Sequence, residues 1–276
     1  MTPGPRAAHP SKKGRVVFAA LAAAISVPQA AAQPSVSGSD PRALAEELRS
    51  EEDPTLLVPR FWVDTEWNSF RDSSSDFDLT LGRLWAWRLS PTQDWALRLK
   101  LPLRTHSAGA APGDSDKQGI GDLKLAVGTA VRLDASRRLG AGLEMRFPTA
   151  TEPALGANVW RPMVFGVFAW DITPAVTFSP SVEYNKSIAE KNGAAPQHYA
   201  EFFFPLTFVV GRWAFTPRYE FKVDFASGDE VTRSAKFLAS TRLEDRPLGF
   251  AFSVKMPLDR VDKKLQLNFV TTWYLR

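Results

Sequence analysis

The sequence predicts an all-β fold: a transmembrane antiparallel up-and-down β-barrel of about twelve strands, with both termini periplasmic. Three observations carry that expectation. An export signal opens the chain, long segments alternate apolar and polar residues, and short connections alternate with long ones.

Residues 1–32 read as a secretory signal peptide. Arg6, Lys12, Lys13 and Arg15 form its positive front, Val16 to Val27 is apolar except for Ser26, and Ala30-Ala31-Ala32 offers a small-residue cleavage site before Gln33. That apolar run is too short to anchor the chain as a helix, which needs about 20 residues. The signal holds four of the 34 Lys+Arg and none of the 30 Asp+Glu, so the mature chain is balanced in charge. A pI near 9.4 therefore belongs mostly to the signal and gives no support for a nucleic-acid partner. The chain has no cysteine, which excludes disulfides, zinc–thiolate sites and cysteine nucleophiles. No metal-ligand cluster or phosphate loop stands out, so no metal and no cofactor is expected. No later apolar run approaches the length of a spanning helix.

From residue 60 onward, apolar and polar residues alternate with period two, the pattern of strands with two unlike faces. In 213–225 the odd positions are Trp213, Phe215, Pro217, Tyr219, Phe221, Val223 and Phe225, and the even ones are Ala214, Thr216, Arg218, Glu220, Lys222 and Asp224. Twelve such segments are expected, at roughly 60–71, 76–89, 94–106, 119–133, 137–149, 159–172, 175–187, 197–211, 213–226, 230–244, 248–259 and 264–276. Most exceed the 5–6 residues typical of soluble strands and suit a tilted bilayer crossing, which needs about 9–11. In 159–171 the apolar face is undecided, because Phe165 and Phe168 have opposite parity.

Short connections, such as Thr173-Pro174 and Gly211-Arg212, alternate with longer polar ones, such as His106 to Lys117 and Ala150 to Asn158. Outer-membrane barrels pair short periplasmic turns with longer external loops. On that assignment Trp62, Trp85, Trp87, Trp95, Trp170, Trp213 and Trp273 fall at periplasmic strand ends, with Trp160 at the other rim. Indole rings favour such a boundary. Seven prolines (Pro102, Pro148, Pro162, Pro180, Pro205, Pro217 and Pro257) lie inside expected strands, where bulges or breaks should accommodate them. Residues 33–59 do not alternate; Asp40-Pro41 is a good cap before a short helix over Arg42 to Arg49, in a segment expected as a loosely ordered periplasmic leader, with a plug folded back into the barrel as the alternative.

Gln118-Gly119-Ile120-Gly121-Asp122-Leu123 opens the fourth segment after a long loop. The two glycines permit a tight turn and Asp122 can accept from free amides, a structural role preferred to a ligand site. No helix follows, so it is not a dinucleotide fingerprint. The run resembles the Gly-x-Gly-Asp-Leu element of the phenol-degradation MetA-pathway family of outer-membrane transporters. Phe147-Pro148-Thr149-Ala150 resembles that family's Pro-Thr-Gly, with Ala150 in place of glycine, and Leu101-Pro102-Leu103 and Val182-Glu183-Tyr184-Asn185 resemble its strand ends. The resemblance covers roughly residues 60–276 and implies a barrel transporter, with no catalytic residues to carry over and no defined substrate. Trp273-Tyr274 would then serve as the signal read by the barrel-assembly machinery, and outer-membrane lipid would surround the chain.

By parity the lumen carries Arg98, Lys100, Arg104, Lys124, Arg132, Arg146, Arg218 and Lys222, with Lys236, Arg242 and Lys255. Opposing them are Asp78, Asp122, Glu144, Glu183, Glu201, Glu220 and Asp224. The expected function is an outer-membrane channel or transporter for small aromatic or polar organic solutes. The alternatives are a structural or plugged barrel, or a lipid-modifying enzyme built on His106 or His198. Adjacent residues of a strand point to opposite faces, so Ser107 cannot easily serve His106. Single cysteines at Phe215, Tyr219 and Phe221 should resist a water-soluble thiol reagent, while those at Arg218, Glu220 and Lys222 should label if the lumen is wet. Reversed labelling would turn the strand inside out.

Overall fold

The computed structural model describes residues 41–109, 115–243, 246–259 and 261–275; the expected signal peptide lies outside them. Twelve long strands follow one helix, α1 (Pro41–Arg49). They are β1 (Arg60–Phe70), β2 (Ser75–Ser90), β3 (Gln93–Ser107), β4 (Lys117–Ile120 continuing as Lys124–Arg132), β5 (Arg137–Arg146) and β6 (Val159–Thr173). The rest are β7 (Val176–Phe178 continuing as Ser181–Lys186), β8 (His198–Val210), β9 (Trp213–Asp224), β10 (Glu230–Arg242), β11 (Leu248–Pro257) and β12 (Lys263–Tyr274). Each strand pairs antiparallel with the next, and β1 pairs with β12 from Arg60–Tyr274 to Phe70–Lys263. The sheet is therefore a closed barrel. The connections β2–β3, β6–β7 and β8–β9 lie at one end with the start of β1 and the end of β12, and the long connections lie at the other.

The two faces are inverted relative to a soluble barrel. On β9, Ala214, Thr216 and Glu220 are buried while Trp213 and Tyr219 are exposed. Leu125, Val127, Leu143, Val164, Phe237, Phe252 and Phe269 continue the exposed apolar face around the barrel. Water would penalise so large an apolar band, whereas lipid accepts it. No helix of the described residues is long and apolar enough to cross a membrane.

The prolines mark where the ladders yield. β4 breaks at residues 121–123 beside Pro102, whose carbonyl accepts from the Gly121 amide at 2.9 Å. β7 breaks at residues 179–180, where the Ser179 amide turns to the Pro205 carbonyl at 3.2 Å. Pro257 ends β11, and Pro148 lies beyond the end of β5. Pro162 and Pro217 remain in ladder without a register shift.

Register resolves the face of β6. Val159, Arg161, Met163, Val167 and Ala169 are buried, so the odd positions turn inward and Phe165 goes with them. Its ring occupies space left by Gly142, where an added Cβ would come within 2.4 Å of it. Trp62 behaves alike: a Cβ on Gly82 would meet its indole at 2.0 Å. Trp62 is thus buried inside the barrel, which removes it from the expected rim. Its large ring is matched to a glycine directly opposite on β2, a pairing visible only once the register is known. Trp87, Trp170, Trp213 and Trp273 do stand exposed toward the short-turn end, and Trp160 stands exposed at the other.

Residues 41–58 depart from the expected loose leader. Leu48, Ser50, Asp53 and Thr55 are buried, and the segment lies against the inner wall at the short-turn mouth. Gly82→Ala should cost about 1–3 kcal/mol through the clash with Trp62. Gly166→Ala should be tolerated, because its Cβ would meet only Val182, at 3.9 Å. Urea unfolding of both variants in lipid vesicles checks the contrast.

Candidate functional site

The candidate site is the barrel lumen, whose inner wall is dense in charge. Arg98 pairs with Glu144 at 2.8 Å, joining β3 to β5 across β4. Arg104 grips Asp78 with two bonds, at 2.7 and 2.5 Å, the forked geometry that guanidinium and carboxylate favour. Glu220 accepts from Arg218 at 2.6 Å and lies 2.5 Å from Lys255. Lys222 meets Asp224 at 2.7 Å, and Asp224 also caps the turn that follows by accepting from the Ala226 amide. Arg132 stands exposed at the end of β4 near the short-turn rim. Lys100, Lys124 and Arg146 share a different setting, in which no carboxylate of the described residues comes within ion-pair distance. Glu183 and Glu201 face each other across the β7–β8 register.

The motif residues come together at the break in β4. Thr149 accepts from the Leu123 amide at 2.9 Å and donates to the Gly121 carbonyl at 3.2 Å. Asp122 accepts from the Ala157 amide at 2.6 Å and the Ala150 amide at 3.3 Å. Gly121 leaves room for the Arg104 stem, and Gly119 for Thr151, whose Oγ1 an added Cβ would meet at 2.1 Å. The Pro148 carbonyl accepts from Lys191 at 3.3 Å. Gly119, Gly121, Asp122, Pro148 and Thr149 thus form a clasp that folds the 147–158 connection against the broken strand.

At the opposite mouth the N-terminal segment is fastened by charge. Glu47 pairs with Arg242 at 2.7 Å, Arg49 with Asp171 at 3.5 Å, and Asp53 with Arg138 at 3.0 Å. Glu51 accepts from Thr272 at 3.1 Å and from Tyr274 at 3.2 Å. Glu52 reaches deeper, to Arg218 at 2.5 Å and Lys236 at 2.7 Å. Burial alone would raise the Glu52 carboxyl, but Arg218 and Lys236 outweigh it and hold it down to about 2. Parity arguments from the strands could not find these contacts, because they start from a segment without alternation.

Two histidines remained as candidates for chemistry. His106 Nδ1 lies 2.7 Å from Asp76, and His198 Nε2 lies 2.7 Å from the Tyr184 hydroxyl. The His198 ring also packs on Phe225, with centroids 4.9 Å apart. Its hydrogen-bond partner is thus a phenol rather than a serine hydroxyl.

Comparison with solved structures places this geometry. The COG4313 outer membrane channel from Pseudomonas putida F1 superposes with a TM-score of 0.68 at 15% identity, over 79% of this chain and 96% of that one. The NanC porin gives 0.54 at 10% identity, over 78% of this chain and 100% of the porin. The translocator domain of the autotransporter NalP from Neisseria meningitidis gives 0.53 at 10% identity, over 85% and 93%. The chain has the closed twelve-stranded antiparallel fold of outer-membrane β-barrels. No protein-family model and no curated protein matches it, so the resemblance to the MetA-pathway family rests on its motif residues.

Glu52→Gln should loosen the N-terminal segment by about 2–4 kcal/mol, since Arg218 and Lys236 lose their shared partner. Acid should act alike. A depressed carboxyl stabilises fully above its ordinary value of 4.5, and that contribution is lost as pH falls toward about 2. Protease cleavage within residues 41–58 of the folded barrel, at pH 7 in the variant and along a pH series in the wild type, measures both.

Proposed function

We propose that this barrel is a channel for small molecules, passing polar or small aromatic organic solutes across the outer membrane. The observation that carries this reading is the inner wall, where charged side chains from β2 to β12 line a lumen enclosed by an apolar outer face. A barrel serving only as a membrane-embedded scaffold gains nothing from so many charges, each of which must be hydrated or paired. In this reading the short-turn mouth and both termini are periplasmic, the long connections face outward, and the barrel-assembly machinery inserts the chain. Membership of the MetA-pathway transporters belongs to the same proposal, and the clasp around Asp122 would set the shape of the outer entrance.

A second reading has its own support. Arg98–Glu144, Arg104–Asp78 and the group around Glu52 neutralise much of the wall internally, as a plugged structural barrel would require. Planar-bilayer recording separates the two. The full chain should conduct, and removal of residues 41–58 should raise its conductance severalfold. Replacing Arg98 and Arg104 with glutamine frees Glu144 and Asp78, and should move the reversal potential toward cations. Silence from both the full chain and the shortened one would leave the structural role.

A further inference from the structure

Four inner-wall cations fall into one line. The register sets Lys100 opposite Lys124, Lys124 opposite Arg146, and Arg146 opposite Arg161. The adjacent strands β3 to β6 therefore each carry a positive charge at one level of the wall. Directly opposed residues in antiparallel strands have Cβ atoms about 4.5–5.5 Å apart, and like charges at that spacing repel. Elsewhere on the wall such charges are answered by carboxylates. Here Glu144 is committed to Arg98 at 2.8 Å, and both oxygens of Asp122 are committed to backbone amides. The partner found for Arg161 among the described residues is the neutral oxygen of Gln197. Arg161 escaped the sequence reading because the face of β6 was undecided.

A second observation points the same way. Asn185 on β7, opposite Met163 and so two residues along β6 from Arg161, is 1% exposed, and neither its side-chain oxygen nor its nitrogen has a hydrogen-bond partner. An amide left so costs about 1–3 kcal/mol. The Nε atoms of Arg146 and Arg161 are likewise buried without partners. Opposite Asn185 stands Tyr199, with the Arg161 guanidinium 5.1 Å and the Lys222 ammonium 4.2 Å from its ring centre. Glu144 attracts Lys100, Lys124 and Arg146 through space without pairing with any of them, so unspent donors, four bases against few carboxylates and an aromatic face meet at one place. The facing pair Glu183 and Glu201 bounds it on the next level of β7 and β8.

We propose that this part of the wall is a binding station for a small organic carboxylate. Arg146 and Arg161 hold the carboxylate oxygens, Lys100 and Lys124 flank them, Asn185 donates from the side, and the Tyr199 ring lies beside the organic body. Paired guanidinium forks match a planar carboxylate, and the ring favours an organic acid over a bare inorganic anion. The proposal rests on the channel reading and narrows its solute class. The carboxylate would relieve the repulsion along the line, so its binding should stabilise the barrel.

The test is thermal unfolding of the full chain in detergent, titrated with benzoate at constant ionic strength against sodium chloride. Benzoate should raise the melting temperature more than chloride or phosphate does. The double variant Arg146→Gln/Arg161→Gln should weaken the apparent affinity by about tenfold or more. Asn185→Ala, which leaves every charge in place, should weaken it as well and serves if the double variant does not fold. Arg233→Gln, whose guanidinium meets Asp259 in the β11–β12 connection, should keep the wild-type response. An unchanged benzoate response in both site variants overturns the station, as does an equal effect of chloride; phosphate matching benzoate overturns the carboxylate assignment. Bilayer recording separates this from the channel reading. A silent barrel that still binds benzoate through Arg146 and Arg161 loses the channel and keeps the site. A conducting barrel whose melting ignores benzoate loses the site alone.

Discussion

The ladder between β1 and β12 is the constraint on which the rest of this structure depends. Hydrocarbon offers no hydrogen bond to a stray amide or carbonyl, so a sheet can cross a bilayer only if its first and last strands meet. Eleven register pairs, from Arg60–Tyr274 to Phe70–Lys263, make that meeting here. Closure then dictates what each face may carry. The outer face must be apolar, and the inner face, shut away from lipid, receives the polar half of every alternation. It also dictates where the chain can break. Pro102 and Pro205 each remove a donor, and the neighbouring strands part beside them at residues 121–123 and 179–180. The freed groups turn to Thr149 and to the Pro205 carbonyl instead of to lipid.

Closure also crowds charge into a confined space, and the wall answers in two ways. Where acids and bases fall within reach of each other, as Arg104 and Asp78 do, they pair directly. Where the wall's own answer is incomplete, the N-terminal segment adds one: Glu52 joins two facing bases on adjacent strands, Arg218 on β9, which also meets Glu220, and Lys236 on β10. The segment is thus an electrostatic partner of the wall as well as an obstruction in its mouth. Along the line from Lys100 to Arg161 neither device supplies a direct ion pair, and Glu144, itself paired with Arg98, acts on it only through space.

The twelve strands were legible because period two persists over 10 to 16 residues in the unbroken ones, and no other regular structure repeats that way. The breaks were foreseeable from the prolines, though the sequence does not distinguish Pro102, which faces a break, from Pro162, which does not. Parity failed where a large ring turns inward. Phe165 and Trp62 resemble lipid-facing residues until the register brings Gly142 and Gly82 opposite them. That complementarity is a property of pairs of strands and cannot be read from either alone. A plug folded back into the barrel was an open alternative for residues 41–58 in the sequence, but the contacts that seat the segment were hidden for a similar reason. Its partners Arg138, Asp171, Arg218, Lys236, Arg242 and Tyr274 are scattered along the chain and converge only when the barrel closes.

The N-terminal segment and the first strand are consecutive stretches of one chain, with only a few residues between the Asp53 contact and Arg60 at the start of β1. A tether this short keeps an unseated segment near its seat at an effective concentration in the millimolar range. Reseating is therefore a first-order event, indifferent to how many barrels the membrane holds, and a free peptide of the same sequence would compete poorly. Any opening of this mouth is correspondingly brief unless something else occupies Arg218 and Lys236 while Glu52 is away.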